Sequence, residues 1–551
     1  MRPNRSVSAG SDPAPDEYVM RIEPFSRRTL IGRSAALGGA AVTATSLSGF
    51  LAACGSSSDD DGGDAPSAQT PTRGGTLNAA ISGEPDVLDP AKSALAVASE
   101  VHNEIFSKLV DVNPEGEVIP QLATRWELTD ERTWVFTLVE GVKFHNGDDF
   151  TADDVKYTFE RIIDPKTKSS FAGNFGSLDT VEVMSPTEVA FHLKEPFAPF
   201  LIALANYGQI VNKRAIDAGG AERKPVGTGP FQFVEWARGD HITVERFPEY
   251  HEKDRPYLDE VIINMREPIP SNIDALRSGE LDFLDQVPAQ SIKTVANDPD
   301  FNYVTAANAG LPKFLAFGCE NAPIDNVQLR QAIAWAIDRK AIRDGAFFGA
   351  GEEGSEEMPT GSPWYSDNDP FRAGPDIEKA KQLIADSGLQ TPIEVEYLAN
   401  TSRPDPTRVG EIVREQLKEI GVDLKIVPLE LSVWLERLIG RKYQMTFTFN
   451  EKTIDPDNIY SQLFTTEAPL NIFGWNNADF DKLIAEGRVS SDEEERKQIY
   501  ADARALIFEE VPVLFTFYET PNYLMPKNVV GSTVRPNLEL HFDLIGFTEQ
   551  S

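Results

Sequence analysis

The sequence predicts an α/β protein, and the stretch from residue 392 to residue 449 carries most of the argument. Three short segments in it, beginning near Ile393, Val422 and Met445, alternate apolar and polar residues as strands do. A helical apolar face closed by Gly421 separates the first two segments, and a second helical stretch leads to the third. Strand, helix, strand, helix, strand at this spacing predicts a parallel sheet covered by helices.

The preceding part of the chain predicts a mixed α+β region. Alternating apolar residues indicate strands at residues 77–81, 134–138 and 189–193. Between the last two strands, Thr151 and Asp154 form a capping-box pattern ahead of a run with helical apolar spacing. We therefore expect a helix to begin just after Thr151.

Length and charge narrow the class of protein. With 551 residues, the chain is too long for one hydrophobic core, so two or three domains are expected. It carries 87 acidic against 52 basic residues, a formal net charge of −35. Nucleic-acid binding needs clustered cations, so this balance argues against a nucleic-acid partner. We interpret the acidity as a solvated surface that keeps the protein soluble.

The first 73 residues have the pattern of an export signal and a tether. Arg27 and Arg28 precede a weakly hydrophobic stretch without acids that ends at Cys54. The arginine pair resembles a Tat signal, and Leu51-Ala52-Ala53-Cys54 resembles a bacterial lipobox, in which the cysteine is acylated. Residues 1–53 are therefore predicted to be a lipoprotein signal peptide and residues 54–73 a disordered tether.

Motifs of catalysis and metal binding are missing from the sequence. It has no G-x-S-x-G elbow, no phosphate-binding P-loop and no H-E-x-x-H motif, and its six histidines are scattered. His145 lies in a turn-like segment, and Cys319 follows an apolar run, so both are interpreted as structural. We expect no enzyme activity, no cofactor and no metal site.

The end of the third strand in the α/β unit is the first place to expect ligand contacts. Ligands of open parallel sheets bind beyond the carboxyl ends of the strands. Here that position holds Phe449, Asn450, Glu451 and Lys452, followed by the polar segment 455–458.

Several motifs in order resemble the extracytoplasmic solute-binding proteins, family 5, of peptide and nickel ABC importers. The resemblance runs from about Gly74 to the C-terminus. The segments that carry it are Gly74-Gly75-Thr76-Leu77, Leu122-Ala123-Thr124-Arg125-Trp126, Val142-Lys143-Phe144-His145-Asn146-Gly147, Pro225-Val226-Gly227-Thr228-Gly229-Pro230 and Leu329-Arg330-Gln331-Ala332 with Ala336-Ile337-Asp338-Arg339.

This resemblance implies a two-lobed, periplasmic-binding-protein-like α/β fold with an additional small α+β domain. Lobe I is expected at 74–113, 222–306 and 514–551, with the small domain at 114–221 and lobe II at 307–513. A solute would bind between the lobes, which close over it. The closed protein, expected to be a monomer, would then dock on ABC permease subunits at the outer face of the cell membrane.

The resemblance also suggests which charged residues contact the solute. In the family's peptide binders, an aspartate four residues before the proline of this loop pairs with the peptide amine. Lys452 holds that position here, and Glu451 fits only with a shift of one residue. A buried Lys452 would favour a solute carboxylate or phosphate, whereas a solvent-facing Lys452 would play no part.

Four aromatic residues are candidates for the walls of the cleft. Phe449 and Trp475 fall in segments that line the family cleft, and Tyr207 and Trp364 are further candidates of the same kind. Each ring is equally compatible with a place in a hydrophobic core.

The predicted function is that of a solute-binding lipoprotein of an ABC importer that captures an oligopeptide or an organic solute of similar size. Two alternatives stay open at this point. One is a receptor lipoprotein that feeds a sensor without transport. The other is a nickel or metallophore carrier, for which a chelated metal would not need histidine ligands.

Overall fold

The computed structural model describes residues 70–449 and 454–549. The predicted signal residues Arg27, Arg28 and Cys54 lie outside the described residues. So do the predicted solute contacts Asn450, Glu451 and Lys452. No helix in the described ranges is both long and apolar enough to span a membrane.

Lobe I is built on a seven-stranded sheet. Its strands are, in spatial order, Phe301–Thr305, Asn522–Pro526, Phe283–Leu284, Thr76–Ile81, Glu260–Met265, His241–Arg246 and Phe231–Ala237. The strand Thr76–Ile81 pairs in parallel with both of its neighbours. Helices Ala96–Ile105, Ser271–Ser278 and Ala289–Val295 accompany this sheet.

A small domain is inserted after the first helix. Its antiparallel sheet has the order Ala123–Asp130, Thr133–Leu138, Glu188–Leu193 and Leu178–Ser185. Its helical segments are Ala152–Ile163, Ala172–Phe175, Phe200–Tyr207 and Lys213–Ala218. The predicted capping box is confirmed, because Thr151 and Asp154 each bond the other's backbone at the start of the first of these helices.

The packing places the start of the small domain before residue 114, the position predicted from the sequence. A hairpin of Val110–Val112 and Val118–Pro120 spans that position, and Leu109 and Val110 lie in the small-domain core. The hydrophobic run that ends the first segment of lobe I thus belongs to the small domain. A buried apolar run does not by itself reveal which of two adjacent cores it enters.

Lobe II is built on a six-stranded sheet. Its order is Glu352–Glu353, Val513–Glu519, Leu311–Phe317, Met445–Phe449, Ile393–Asn400 and Val422–Leu429. Its helices are Val327–Ala336, Arg339–Ala346, Ile377–Asp386, Asp405–Lys418, Leu431–Ile439, Pro456–Ile459, Ala478–Val489 and Glu493–Glu510, and a π-helical segment spans Tyr460–Phe464. The predicted parallel unit is confirmed, since Ile393–Asn400 pairs in parallel with the other two strands of the unit, Val422–Leu429 and Met445–Phe449.

Helices cover both faces of this second sheet. Leu315 and Phe317 of one strand lie in one hydrophobic core, and the alternate residues Phe314 and Ala316 lie in another. Successive residues of a strand point to opposite faces, so a strand buried on both sides reads as a continuous apolar run. Cys319 packs at the edge of these cores, where burial raises the pKa of its thiol to about 11, as expected of an inert structural cysteine.

The strand Val513–Glu519 corrects the predicted end of lobe II. The boundary after residue 513 assigns it to lobe I, whereas it pairs with Leu311–Phe317 in the centre of the lobe II sheet. All but its last residue are buried, a pattern that suits a central strand of either sheet.

Within the described ranges, the chain passes between the two large sheets twice, at residues 306–310 and 520–521. The two crossings run side by side, because Thr305 pairs with Asn522 before them and Leu311 pairs with Glu519 beyond them. The Thr305 hydroxyl also donates to the Pro521 carbonyl at 3.0 Å. Two short adjacent segments have the form of a hinge.

His145 is structural, as predicted, and joins two of the motifs found in the sequence. The Gly227 amide donates to Nδ1 of His145 at 3.4 Å, and Nε2 donates to the Gly229 carbonyl at 3.0 Å. Burial lowers the pKa of His145 to about 4, so the ring is neutral near pH 7. A Cβ at position 227 would lie 2.0 Å from the Ile105 carbonyl oxygen, so this turn requires glycine for close packing.

Candidate functional site

One edge of the lobe II sheet faces the hinge. The parallel strands end there at Asn400, Leu429 and Phe449. The strands that connect to the crossings begin or end at the same edge, with Lys313 opposite Phe449 and Glu519 as the last residue before the second crossing. The carboxyl ends of the parallel strands therefore open toward lobe I, where ligands of such sheets bind.

A charged pair lies at this edge. Lys313 is only 2 % exposed, and its Nζ is 2.5 Å from Oε2 of Glu519, which is 22 % exposed. The same ammonium lies 4.0 Å from the ring centre of Phe449, a cation–π contact. The pair thus presents one carboxylate and one aromatic face to the space between the lobes.

Glu519 is held in its ionised form. Burial acts to raise its pKa, but the charge and hydrogen bond of Lys313 outweigh burial, and Arg403 adds to them, so the pKa is lowered. The Glu519 carboxylate in turn neutralises the Lys313 ammonium, because a buried charge needs a partner of opposite sign.

The facing edge of lobe I is also polar. The parallel strands of its sheet end next to Ser82 and Asp285, and the Ser82 amide donates to Oδ2 of Asp285 at 2.9 Å. Burial raises the pKa of Asp285 to about 7. Asn522, the first residue of the strand after the hinge, accepts from the Val287 amide at 2.9 Å.

The small domain and lobe II are in direct contact with each other. The Ala198 amide donates to the Arg488 carbonyl at 2.8 Å, and the Arg488 guanidinium lies 5.2 Å from the ring centre of Phe197. Ile454 of lobe II packs into the small-domain core. Both parts line a cavity at this contact, whose walls include Phe197, Tyr207 and Arg488.

Two of the four aromatic candidates have a surface between the lobes. Phe449 is 40 % exposed at the cleft edge of lobe II, and Tyr207 lines the cavity, stacked on Phe171 with ring centres 4.6 Å apart. The interpretation of Phe449 and Tyr207 as solute contacts stays a prediction.

The other two candidates pack inside lobe II. Trp475 is 3 % exposed, lies edge-on to Phe480, and donates from Nε1 to Glu510 at 2.6 Å. Trp364 packs edge-on to Tyr500 and under the Arg496 guanidinium. Trp475 therefore lies in the core of lobe II and Trp364 packs against that core, which is the alternative to a solute contact that the sequence left open.

Sequence reasoning missed Lys313 and Glu519. Each is the one charged residue of a largely apolar strand, Lys313 as the third residue and Glu519 as the last, and that was the available signal, because a lone charge in a buried strand needs a partner. The partner itself was not predictable, since 206 residues separate the two in the chain and only the pairing of their strands joins them.

A cluster in lobe I contains the residue types that bind metals, but cationic side chains already neutralise its carboxylates. Ligand atoms of Asp111, Glu539 and His541 lie within 4.8 Å of one another. Lys108 contacts both carboxylates, and Arg535 donates to Asp111 at 2.7 Å. The carboxylates are therefore neutralised by resident cations, and the cluster is an ion-pair network that fastens the C-terminal segment to the body.

Two hinged α/β lobes with polar strand ends facing each other define the class of two-lobed binding proteins that enclose a solute. The chain belongs to the bacterial extracellular solute-binding proteins, family 5, whose middle-region model matches residues 117–470. Members of this family are binding proteins, so the predicted fold class and family are confirmed.

Individual relatives agree with this assignment. Di/tripeptide-binding protein 1 of Pseudomonas aeruginosa is 27 % identical over 505 residues, which cover 85 % of this chain and 93 % of the relative. The structure of AgaA from A. tumefaciens R10 with agropinic acid is 28 % identical, with a TM-score of 0.72, and covers 87 % of this chain and 99 % of that one. AppA from Bacillus subtilis with a nonapeptide is 25 % identical, with a TM-score of 0.75, and covers 87 % and 100 %.

Glu519→Gln tests the charged pair at the cleft edge. The variant leaves the buried Lys313 ammonium without its countercharge, so we expect the free energy of unfolding at pH 7 to fall by about 3 kcal/mol in urea denaturation. The matched control is Glu280→Gln, which removes an exposed partner of Arg266 and is expected to cost under about 1 kcal/mol. Adding Lys313→Met to Glu519→Gln should restore most of the loss.

Lowering the pH should also reduce the free energy of unfolding. Because the folded-state pKa of Glu519 is lowered, its stabilising contribution is complete above the unfolded pKa of about 4.3 and is lost as the pH falls through the lower folded value.

For the two variants, equal losses of unfolding free energy in Glu519→Gln and Glu280→Gln would contradict the burial of the Lys313–Glu519 pair.

Proposed function

We propose that this protein captures a peptide, or an organic solute of similar size, between its two lobes and delivers it to an ABC permease. The observation that carries the proposal is the pair of polar strand edges that face each other across the hinge, with Lys313, Glu519 and Phe449 on one side and Ser82 and Asp285 on the other. Charged and polar groups at a cleft with an aromatic face suit a ligand with amide and ionic groups. Relatives named for di- and tripeptides and for a bound nonapeptide support the same class of solute.

Closure follows from the way the lobes are joined. A solute that contacts both strand edges gains more contacts in the closed arrangement than in an open one, and it shifts the equilibrium by that difference. We propose that the permease recognises the closed form and that the solute leaves chemically unchanged, which makes the protein a carrier and not an enzyme.

We further propose that Cys54 carries a lipid anchor and that Arg27 and Arg28 direct export. The support is the order of arginine pair, weakly apolar stretch and lipobox in the sequence, together with a family of extracellular proteins. A monomer tethered to the outer face of the membrane by residues 55–73 would stay free to rotate toward its permease.

Native mass spectrometry of the protein as purified tests the nature of the solute. We expect a fraction of the molecules to carry an added mass that tandem mass spectrometry identifies as peptide. Unloaded protein, prepared by denaturation and refolding, should then bind synthetic tri-alanine or penta-alanine in calorimetry and return it unaltered. A retained solute without amide bonds, together with failure to bind either peptide, would exclude peptide and leave an organic solute of similar size, and a cleaved peptide would contradict a carrier that is not an enzyme.

Cys54→Ala tests the anchor. Without the thiol no thioether to a diacylglycerol can form, so we expect the variant to move from the membrane pellet to the soluble fraction of fractionated cells. Cys319→Ala removes the other cysteine of the chain and should stay with the membranes. Membrane retention of Cys54→Ala would exclude this cysteine as the anchor.

A further inference from the structure

A cavity in lobe II has an excess of cationic residues in its walls. Its volume is about 130 Å³, and every residue that lines it belongs to lobe II. A water molecule needs roughly 10 to 15 Å³ of such space, so the cavity accommodates a group of several non-hydrogen atoms. The charged lining residues are four cations and two acids, namely Arg339, Lys340, Arg343, Arg372, Asp338 and Glu353. This local excess is opposite in sign to the formal net charge of the chain, −35.

Arg339 in this wall has two N–H donors without an acceptor. It is the last residue of the Ala336-Ile337-Asp338-Arg339 motif, and its Nη1 donates at 2.6 Å to Oδ2 of Asp369, whose side chain is fully buried. Its Nε and Nη2 are buried and donate to no residue that the structure describes. A buried charged donor is costly unless an acceptor is present, so these two groups need a water molecule or a ligand.

The same edge of the guanidinium group is used elsewhere in lobe II. Arg504 donates from Nε and Nη2 to the Glu357 carboxylate. Arg330 donates from the same two atoms to the Glu510 carbonyl. These two N–H groups are parallel and match two oxygens of a carboxylate or a phosphate. At Arg339 this edge lacks an acceptor among the described residues, although the guanidinium itself is held in place by its third nitrogen.

The other three cations of the cavity pair with exposed acids. The pairs are Lys340–Asp344, Arg343–Asp344, Arg343–Glu353 and Arg372–Asp367. The side chains of these acids are between 43 % and 73 % exposed. Exposed pairs contribute little because solvent and salt screen them, so the three cations can still attract an anion into the cavity.

Two hydroxyl groups add to the donors in the wall. Ser355 and Tyr365 line the cavity, and their hydroxyl oxygens lie 3.4 Å apart. The Tyr365 hydroxyl donates to Asp367 at 3.3 Å. The buried Ser355 hydroxyl can therefore rotate to donate to a ligand.

We propose that this cavity binds a phosphate group, with Nε and Nη2 of Arg339 as the principal donors. A phosphate has up to two negative charges and at least three acceptor oxygens, whereas a carboxylate has one charge and two oxygens. The excess of two cations over acids in the walls and the additional Ser355 hydroxyl favour phosphate. The same chemistry is available from inorganic phosphate or a phosphorylated small molecule and from a phospholipid headgroup.

This site is separate from the solute cleft. The cleft-edge residues Lys313, Phe449 and Glu519 do not line it, and no residue of lobe I does. Phosphate binding should therefore be independent of the solute and of lobe closure, so the proposal does not rest on the proposed function.

Inorganic phosphate tests the site in the soluble Cys54→Ala protein. At about 10 mM and equal ionic strength, phosphate should raise the melting temperature by about 2 °C relative to chloride. Acetate should have less than half this effect, because it presents only two oxygens and one charge. No difference between phosphate and chloride would overturn the proposal, and an equal effect of acetate would contradict a preference for phosphate.

Arg339→Lys tests the guanidinium edge. Lysine keeps a cation for Asp369 but has no planar pair of N–H donors, so we expect the variant to lose most of the phosphate-induced shift. The matched control is Arg277→Lys, which alters an exposed arginine of lobe I and should keep the full shift. The control also measures any general salt effect of phosphate on stability. Equal shifts in Arg339→Lys and Arg277→Lys would exclude Arg339 as the donor.

Two charge reversals decide if Arg339→Lys does not fold. Lys340→Glu places an acid in the wall of the cavity and should weaken phosphate binding about tenfold in calorimetric titration at low salt. Lys482→Glu changes the net charge by the same amount at an exposed residue outside the cavity, and it should change the affinity less than about twofold. Equal affinities of the two variants would contradict binding in this cavity.

Vesicles distinguish the two sources of phosphate. The Cys54→Ala protein is sedimented with phosphatidylcholine vesicles that contain or lack phosphatidic acid, whose headgroup is a phosphate monoester. Binding that requires phosphatidic acid and is lost in Lys340→Glu would support a lipid headgroup as the ligand. A phosphate-induced shift without vesicle binding would support a soluble phosphate compound.

The outcomes also separate this proposal from the proposed function. Peptide binding without any phosphate-induced shift would keep the carrier and overturn the phosphate site. A phosphate-induced shift that Arg339→Lys removes, without binding of any peptide, would keep the site and contradict the peptide carrier.

Discussion

The structure depends on one constraint, which is that two short adjacent segments of the described chain join the two large sheets. Residues 306–310 and 520–521 cross side by side, with paired strands on either side. Each lobe is therefore free to turn as a body while its own hydrogen bonds stay intact. The same topology directs the carboxyl ends of the parallel strands of both sheets toward the hinge, so the cleft and the hinge have a common origin.

Buried ion pairs keep each lobe rigid enough for such a motion. In lobe II, the Arg504 guanidinium donates from Nε to both oxygens of Glu357 at 3.0 Å, and this joins the segment around residue 357 to the helix Glu493–Glu510. Burial and the charge of Glu357 raise the pKa of neighbouring Glu356 to about 7. Pairs of this kind add little net stability, but breaking one is costly, so they resist internal rearrangement.

The cleft uses its charges differently. Lys313 and Glu519 are as close as the pairs inside the lobes, yet the carboxylate keeps part of its surface and the cation lies against an exposed aromatic ring. Asp457 is a second case at a contact between the lobes, a buried carboxylate whose Oδ1 lies 3.3 Å from Nε of the exposed Arg488 side chain. Partly used charges at a boundary between moving parts are the groups through which a solute can alter the balance between open and closed forms.

The sequence predicted what local periodicity controls and missed what long-range pairing controls. The parallel unit of lobe II and the helix after Thr151 follow from spacing and capping within a few residues. The sheet to which Val513–Glu519 belongs was not predictable, because a fully apolar strand fits the centre of either sheet. The residues that line the cleft were hard to predict for the same reason. Trp475 and Phe449 were equally good aromatic candidates in the sequence, and only the three-dimensional packing separates a core ring from an exposed one.

The distance between the lobes in solution tests the central claim most directly. Spin labels at Lys166→Cys in the small domain and Lys482→Cys in lobe II, in a soluble protein that lacks Cys54 and carries Cys319→Ala, report that distance by pulsed electron resonance. A hinged carrier predicts a broad distribution for the unloaded protein that becomes shorter and narrower when the solute recovered from the purified protein is added back. An identical distribution with and without that solute would contradict closure of the lobes as the basis of binding.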